Sequence, residues 1–221
     1  MGVVCVVGQS GSGKSTFARA FSNIAGIPLL REDSTRPYRD NETPSTSTIR
    51  SVTNNYFYEV FHGGPDLNKI MGGYAAWAQF EKADGKKYLY GIPKNLMVNE
   101  EIYNPKYPYL SGVIVTNPLA VFQLDALGYD IFVVMLDHSD DQCRQNLLWR
   151  GTELKAEIER RIESTRSDID FIIENKPDII DLYLWHGAPD VLAELALNYL
   201  DKQMRNQSKR ICYEEEKILL L

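Results

Sequence analysis

Hydrophobic residues run unbroken from Gly2 to Val7, as in a strand covered by helices on both faces. After a Gly- and Ser-rich turn, Phe17, Ala18, Phe21 and Ala25 recur at helical spacing until Gly26 stops the repeat. Ile27 to Leu30 is a second short apolar run, whereas residues 32–55, rich in Ser, Thr, Asn and Pro, predict a long functional loop. Aromatic, Gly-punctuated text from Tyr56 to Pro93 holds two strand candidates, Tyr74 to Phe80 and Lys87 to Ile92. Gly112 to Thr116 predicts a buried strand, and Pro118 opens a helix reaching Leu127. Tyr129 to Leu136 is the clearest later strand. Ser139 and Gln142 form a capping-box pattern for a helix running to Trp149. A long helix follows from Lys155 to Ile173, with Ile158, Ile162, Ile169 and Ile172 on or near one stripe. Ile179 to Leu184 is the last predicted strand, followed by a helix from Pro189 to about Met204 and a charged tail.

Strands alternating with helices imply an α/β fold with a central parallel sheet and right-handed crossovers. At 221 residues and 44% hydrophobic, the chain suffices for one substantial core with a smaller lid beside it. The net charge of −6 argues against a protein devoted to gripping a nucleic-acid backbone. Cys5, Cys143 and Cys212 show no zinc-site spacing. The chain opens on its first strand and no apolar run approaches membrane-spanning length, so the expectation is a reduced, cytoplasmic protein with no membrane partner.

Chemistry is concentrated at the first turn. Gly8-Gln9-Ser10-Gly11-Ser12-Gly13-Lys14-Ser15 is a complete P-loop between an apolar strand and an amphipathic helix. Its glycines allow successive backbone N–H groups to face phosphate, and the following helix adds its positive end. ATP is therefore expected on Gly8, Ser10, Gly11, Ser12, Gly13, Lys14, Ser15 and Thr16. Lys14 would act catalytically at the terminal phosphates, and the Ser15 hydroxyl would serve Mg²⁺.

A second motif follows. In Ser34-Thr35-Arg36-Pro37-Tyr38-Arg39-Asp40-Asn41-Glu42, two closely spaced arginines can close on one phosphate with paired donors. This run resembles the acceptor site of the guanylate kinase family, Thr-Arg-x-x-Arg-x-x-Glu, and the resemblance extends in order over residues 3–184. Tyr74-Ala75-Ala76-Trp77-Ala78-Gln79-Phe80 with Tyr88-Leu89-Tyr90-Gly91 looks like that family's acceptor-binding subdomain. Arg150-Gly151-Thr152 looks like the entry to its lid, and Arg160-Arg161-Ile162 like the exit.

The resemblance implies a P-loop kinase in one domain, residues 1–205, followed by a tail at 206–221. Core segments at 1–31, 111–138 and 174–205 would carry an acceptor-binding subdomain at 32–110 and a helical lid at 139–173. It makes Arg36, Arg39, Glu42, Tyr56 and Tyr90 acceptor ligands, and Arg150 and Arg161 catalytic lid arginines. Read alone, Glu157 and Arg161 form an ordinary surface pair. The partners implied are ATP and a small phosphorylated acceptor, a nucleoside monophosphate. Monomer and homodimer stay open.

The departures concern the base and the metal. Ala76, Ile92 and Glu32 replace an acid and two small hydroxyl residues that read guanine in the family; Ala76 and Ile92 would instead form a hydrophobic floor. The strand beside the P-loop reads Val113-Ile114-Val115-Thr116-Asn117 with no acid, although Thr116 and Asn117 could hold metal-bound water. Glu32, Asp33 and Asp137 are carboxylates at other strand ends. Asp33 is open to two readings, a base for a hydroxyl acceptor or an Asx-type turn. A non-catalytic guanylate-kinase-like interaction module is a further alternative, opposed by the complete P-loop.

Overall fold

The computed structural model describes residues 2–36, 50–52, 72–81, 85–97, 104–151, 153–185 and 187–218, with side chains left undescribed at 50–52 and 205–218. The central sheet is parallel, in the order β2 (Leu29–Leu30), β7 (Leu110–Val115), β1 (Gly2–Gly8), β8 (Ile131–Leu136), β9 (Leu182–Leu184). Every residue of β1 is buried, which explains its uninterrupted apolar text. Val4 and Val6 pack with Phe17 and Phe21 of α1 (Lys14–Ala25) and Leu197 of α6 (Pro189–Ile218). Val3, Cys5 and Val7 face the other layer, with Leu124 of α3 (Pro118–Ala126).

A second sheet has the order β4 (Arg50–Val52), β3 (Glu32–Ser34), β6 (Lys87–Pro93), β5 (Tyr74–Glu81). It corrects the expectation that 32–55 is loop throughout. β3 pairs antiparallel with β6 and parallel with β4, and these distant backbone partners override the polar local composition. A short helix, α2 (Lys94–Met97), follows β6. The edge strand β5 is fastened to α3 by Gln123, whose side chain accepts from the Trp77 N–H at 2.9 Å and donates to the Trp77 carbonyl at 2.7 Å.

α4 (Asp140–Arg150) and α5 (Lys155–Asn175) form a helical pair joined by Cys143, Leu147, Ile158 and Ile162. Ser139 caps α4 by accepting from the Gln142 N–H, but the Gln142 side chain donates to Asn146, so the box is one-sided.

Two other boundaries differ from the sequence reading. Pro177 opens a 3-10 turn through Ile179, so the last strand is Leu182–Leu184 although Ile179 and Ile180 are buried in the core. α6 continues to Ile218 instead of ending near Met204. No Gly or Pro follows Pro189, and most residues after Leu200, such as Lys202, Gln203, Met204, Arg205 and Glu214 to Lys217, are good helix formers. Among the described residues no helix is long and apolar enough to cross a membrane.

Candidate active site

The P-loop leaves β1 at Gly8 and enters α1 at Lys14. Gly13, in the left-handed region at φ 84°, caps α1 without any side-chain hydrogen bond, so this helix end is dressed only by backbone. Lys14 Nζ donates to the carbonyls of Gly8 at 2.7 Å and Gln9 at 2.6 Å. Burial and then the Arg161 guanidinium lower the Lys14 pKa to about 7; Arg150 acts in the same direction and Glu32 opposes it. The ammonium is thus held among partial charges that a polyphosphate would replace.

The helical pair closes on this loop from outside. Gln9 Nε2 donates to Asp140 Oδ1 at 2.8 Å, and Arg166 binds the same carboxylate oxygen. The Ser10 N–H donates to Thr165 Oγ1 at 3.2 Å, and Arg161 donates to Ser10 Oγ at 3.3 Å. Asn146 Nδ2 donates to the Gly11 carbonyl at 2.8 Å. A Cβ on Gly11 would overlap the Cys143 carbonyl oxygen, so the loop and α4 approach as closely as backbones can.

Arg161, read from sequence as a lid arginine, therefore lies on the P-loop, where it also pairs with Glu153. The Glu157–Arg161 surface pair is not the one formed; Glu157 instead holds Arg160 at 3.0 Å. Arg150 is exposed at the end of α4, within electrostatic reach of Lys14. Sequence reading missed Gln9, Asp140, Asn146, Thr165 and Arg166 as supports of the loop. Gln9 fills a variable position of the P-loop and the other four match no motif, since α4 and α5 reach the loop only in three dimensions.

Three polar oxygens near the loop are buried without a hydrogen-bond partner: Gln9 Oε1, Ser12 Oγ and Thr116 Oγ1. Such atoms are costly unless something completes them. A cavity of about 490 Å³ lies by the start of α4, lined by Asp137, His138, Ser139, Gln142, Arg166 and Trp185.

In the second sheet, Ser34 of β3 sits opposite Tyr90 of β6, and buried Ser34 Oγ accepts from the Arg36 N–H at 3.1 Å. Thr35 exchanges hydrogen bonds with the Leu89 backbone, which fixes Arg36 beside β6. Tyr90 stacks edge-on against Phe80. Arg39, Glu42 and Tyr56 lie outside the described residues.

Two sequence readings change here. Ala76 and Ile92 are fully buried in the core shared with α3 and the central sheet, so in this conformation they are not the floor of an open site. Asp33 is a strand residue accepting from the Tyr74 hydroxyl at 2.8 Å, not the head of an Asx turn. Burial and this bond raise the Tyr74 pKa.

With this geometry in place, comparison with solved structures identifies the fold. The guanylate kinase from Anaplasma phagocytophilum superposes with a TM-score of 0.56 over 91% of this chain and 86% of that one, at 16% identity. The fold is that of a P-loop kinase. An uncharacterized protein from Eubacterium ventriosum aligns at a TM-score of 0.49 and 11% identity, covering 91% of this chain and 98% of the other. A shikimate kinase from Acinetobacter baumannii aligns at 0.46 and 15%, covering 92% and 94%. No protein-family model matches the chain, and no curated protein matches it by sequence.

Proposed function

We infer that this protein transfers the terminal phosphoryl group of ATP to a small phosphorylated acceptor, a nucleoside monophosphate, in a cytoplasmic setting. The observation that carries the reading is the meeting of Lys14 and Arg161 at the P-loop: Lys14 lies along the loop's own carbonyls while Arg161 reaches Ser10 from the helical pair. Two cations from separate elements at one phosphate cradle suit a reaction whose catalysis is positioning and charge neutralisation.

In this reading the P-loop amides and Lys14 hold the donor phosphates, and α4–α5 act as the lid. Arg161 and Arg150 neutralise the transferring group and exclude water. Arg36, Arg39 and Tyr90 hold the acceptor phosphate, with Glu42 and Tyr56 completing that site. The cavity beside Trp185 receives the donor base. The residues present fit Mg²⁺: Ser15 follows the P-loop lysine, and the buried Thr116 hydroxyl lacks a partner. Bound there, the ion would neutralise phosphate charge.

An ADP-release assay across ribo- and deoxynucleoside monophosphates tests the reading. Turnover with at least one acceptor is expected, with no acceptor-dependent ADP from Lys14→Ala. Buried Ala76 and Ile92 offer no hydrogen bond to guanine, so GMP should be preferred over dTMP, AMP and CMP by less than about a hundredfold, or roughly 2.7 kcal/mol. A Lys14→Ala rate above about a tenth of wild type, a loss of under about 1.4 kcal/mol, would refute the mechanism.

A further inference from the structure

Asp140, the first residue of α4, is bonded at once to the P-loop and to a wall of the cavity beside Trp185. We propose, resting on the donor-base reading of that cavity, that the base lies on the Arg166 guanidinium, and that Asp140 is a positioning residue joining base subsite and phosphate cradle into one unit.

A single oxygen, Asp140 Oδ1, takes donors from both sides. From α5, Arg166 offers it Nε at 3.0 Å and also Nη2. Two donors on one edge of the guanidinium fix its plane. Even so, 47% of the side chain stays exposed. Among the described lining residues of the cavity Arg166 alone is a lysine or arginine, and Trp185, which shares the lining, is 67% exposed. A fixed guanidinium plane and an uncovered indole are both stacking surfaces for a flat heteroaromatic ring. The edge-reading groups are partly committed elsewhere, Ser139 Oγ to the Gln142 N–H and the Gln142 amide nitrogen to Asn146. The base is therefore held chiefly by its faces.

From the P-loop, Gln9 Nε2 reaches the same oxygen at 2.8 Å, and Gln9 is only 3% exposed. The carboxylate dictates which end of this amide is the donor, and Oε1 is left buried with no hydrogen-bond partner. That orientation costs the loop an unsatisfied acceptor. What it holds in place is the Gln9 backbone, whose carbonyl accepts from Lys14 Nζ at 2.6 Å and from the Ser12 N–H at 3.1 Å. Direct contacts thus run from Arg166 through Asp140 and Gln9 to the P-loop lysine. An ion pair as exposed as Arg166–Asp140 adds little to stability, so its consequence is geometric.

Calorimetric titration of the full chain with ATP and with inorganic tripolyphosphate, both in excess Mg²⁺, separates the two subsites, because tripolyphosphate carries no base. ATP should bind the wild-type protein about tenfold or more tighter than tripolyphosphate. Arg166→Ala should remove about tenfold from ATP affinity and leave tripolyphosphate unchanged. Arg166→Lys keeps the charge but not the plane, and should match Arg166→Ala. Asp140→Ala releases both Arg166 and Gln9 and should weaken both ligands, ATP the more. Asp140→Asn keeps an acceptor oxygen for Gln9 and should spare tripolyphosphate. Melting without ligand checks each fold. Equal losses for the two ligands in the Arg166 variants, or unchanged tripolyphosphate affinity in Asp140→Ala, overturn the proposal. So does a wild-type protein that binds ATP no tighter than tripolyphosphate. Binding of neither ligand by the wild-type protein would instead overturn the kinase reading itself.

Discussion

Asn146 of α4 donates to the Gly11 carbonyl at 2.8 Å, joining the helical pair to the middle of the P-loop across 135 residues of chain. Removing the donor should leave this partly buried carbonyl without its amide. Asn146→Ala is expected to cost about 1 kcal/mol, read as a lower urea midpoint at constant slope. Asn146→Asp should cost more, since it sets an anion against an acceptor. Unchanged midpoints in both variants would show that the contact contributes nothing to docking.

Gly11 and Gly13 make a matched pair for substitution. Both have positive φ, but a Cβ at Gly13 meets nothing within 4 Å, whereas at Gly11 it overlaps the Cys143 carbonyl and lies 3.0 Å from its carbon. Gly13→Ala should therefore cost only the left-handed strain, about 1–2 kcal/mol. Gly11→Ala should cost about 1–3 kcal/mol more, because α4 must move off the loop. Equal losses in melting temperature would rule out close packing as the reason for Gly11.

The lowered pKa of Lys14 makes nucleotide binding pH-dependent. With a value of about 7, the amine is partly neutral in the ligand-free protein near neutrality. Bound phosphates favour its charged form, so binding takes up protons: about half a proton at pH 7, rising toward one by about pH 8.5. ATP affinity should accordingly fall as pH rises above about 7. Calorimetry in buffers of different ionisation enthalpy measures the uptake directly. Lys14→Met should abolish it, and uptake persisting in that variant would assign the proton to another group.

Gln123 completes the open edge of β5 as an additional strand would, satisfying both backbone groups of Trp77. Gln123→Ala exposes an N–H and a carbonyl in a partly buried seam and should cost about 1–3 kcal/mol. Hydrogen exchange offers a local readout, since Trp77 should lose amide protection while β1 retains it. Full protection at Trp77 after the substitution would mean that another group or water replaces the side chain.

The sequence by itself determined the parts whose chemistry is local. A fully apolar β1, a glycine turn and the period of Phe17, Phe21 and Ala25 together demand strand, phosphate cradle and helix, because each signal lies within a few residues of its effect. Tertiary structure alone decided what depends on partners far along the chain. Polar β3 is a strand because β6 offers it a backbone ladder, and Ala76 and Ile92 became core because the second sheet packs onto α3. The same holds at the site. Nothing in the text around Asn146, Thr165 or Asp140 marks them as P-loop supports; they become so when α4 and α5 dock against backbone groups of Gly11, Ser10 and the side chain of Gln9. A hydrogen bond between distant residues leaves no periodicity in either segment, so only the folded chain reveals it.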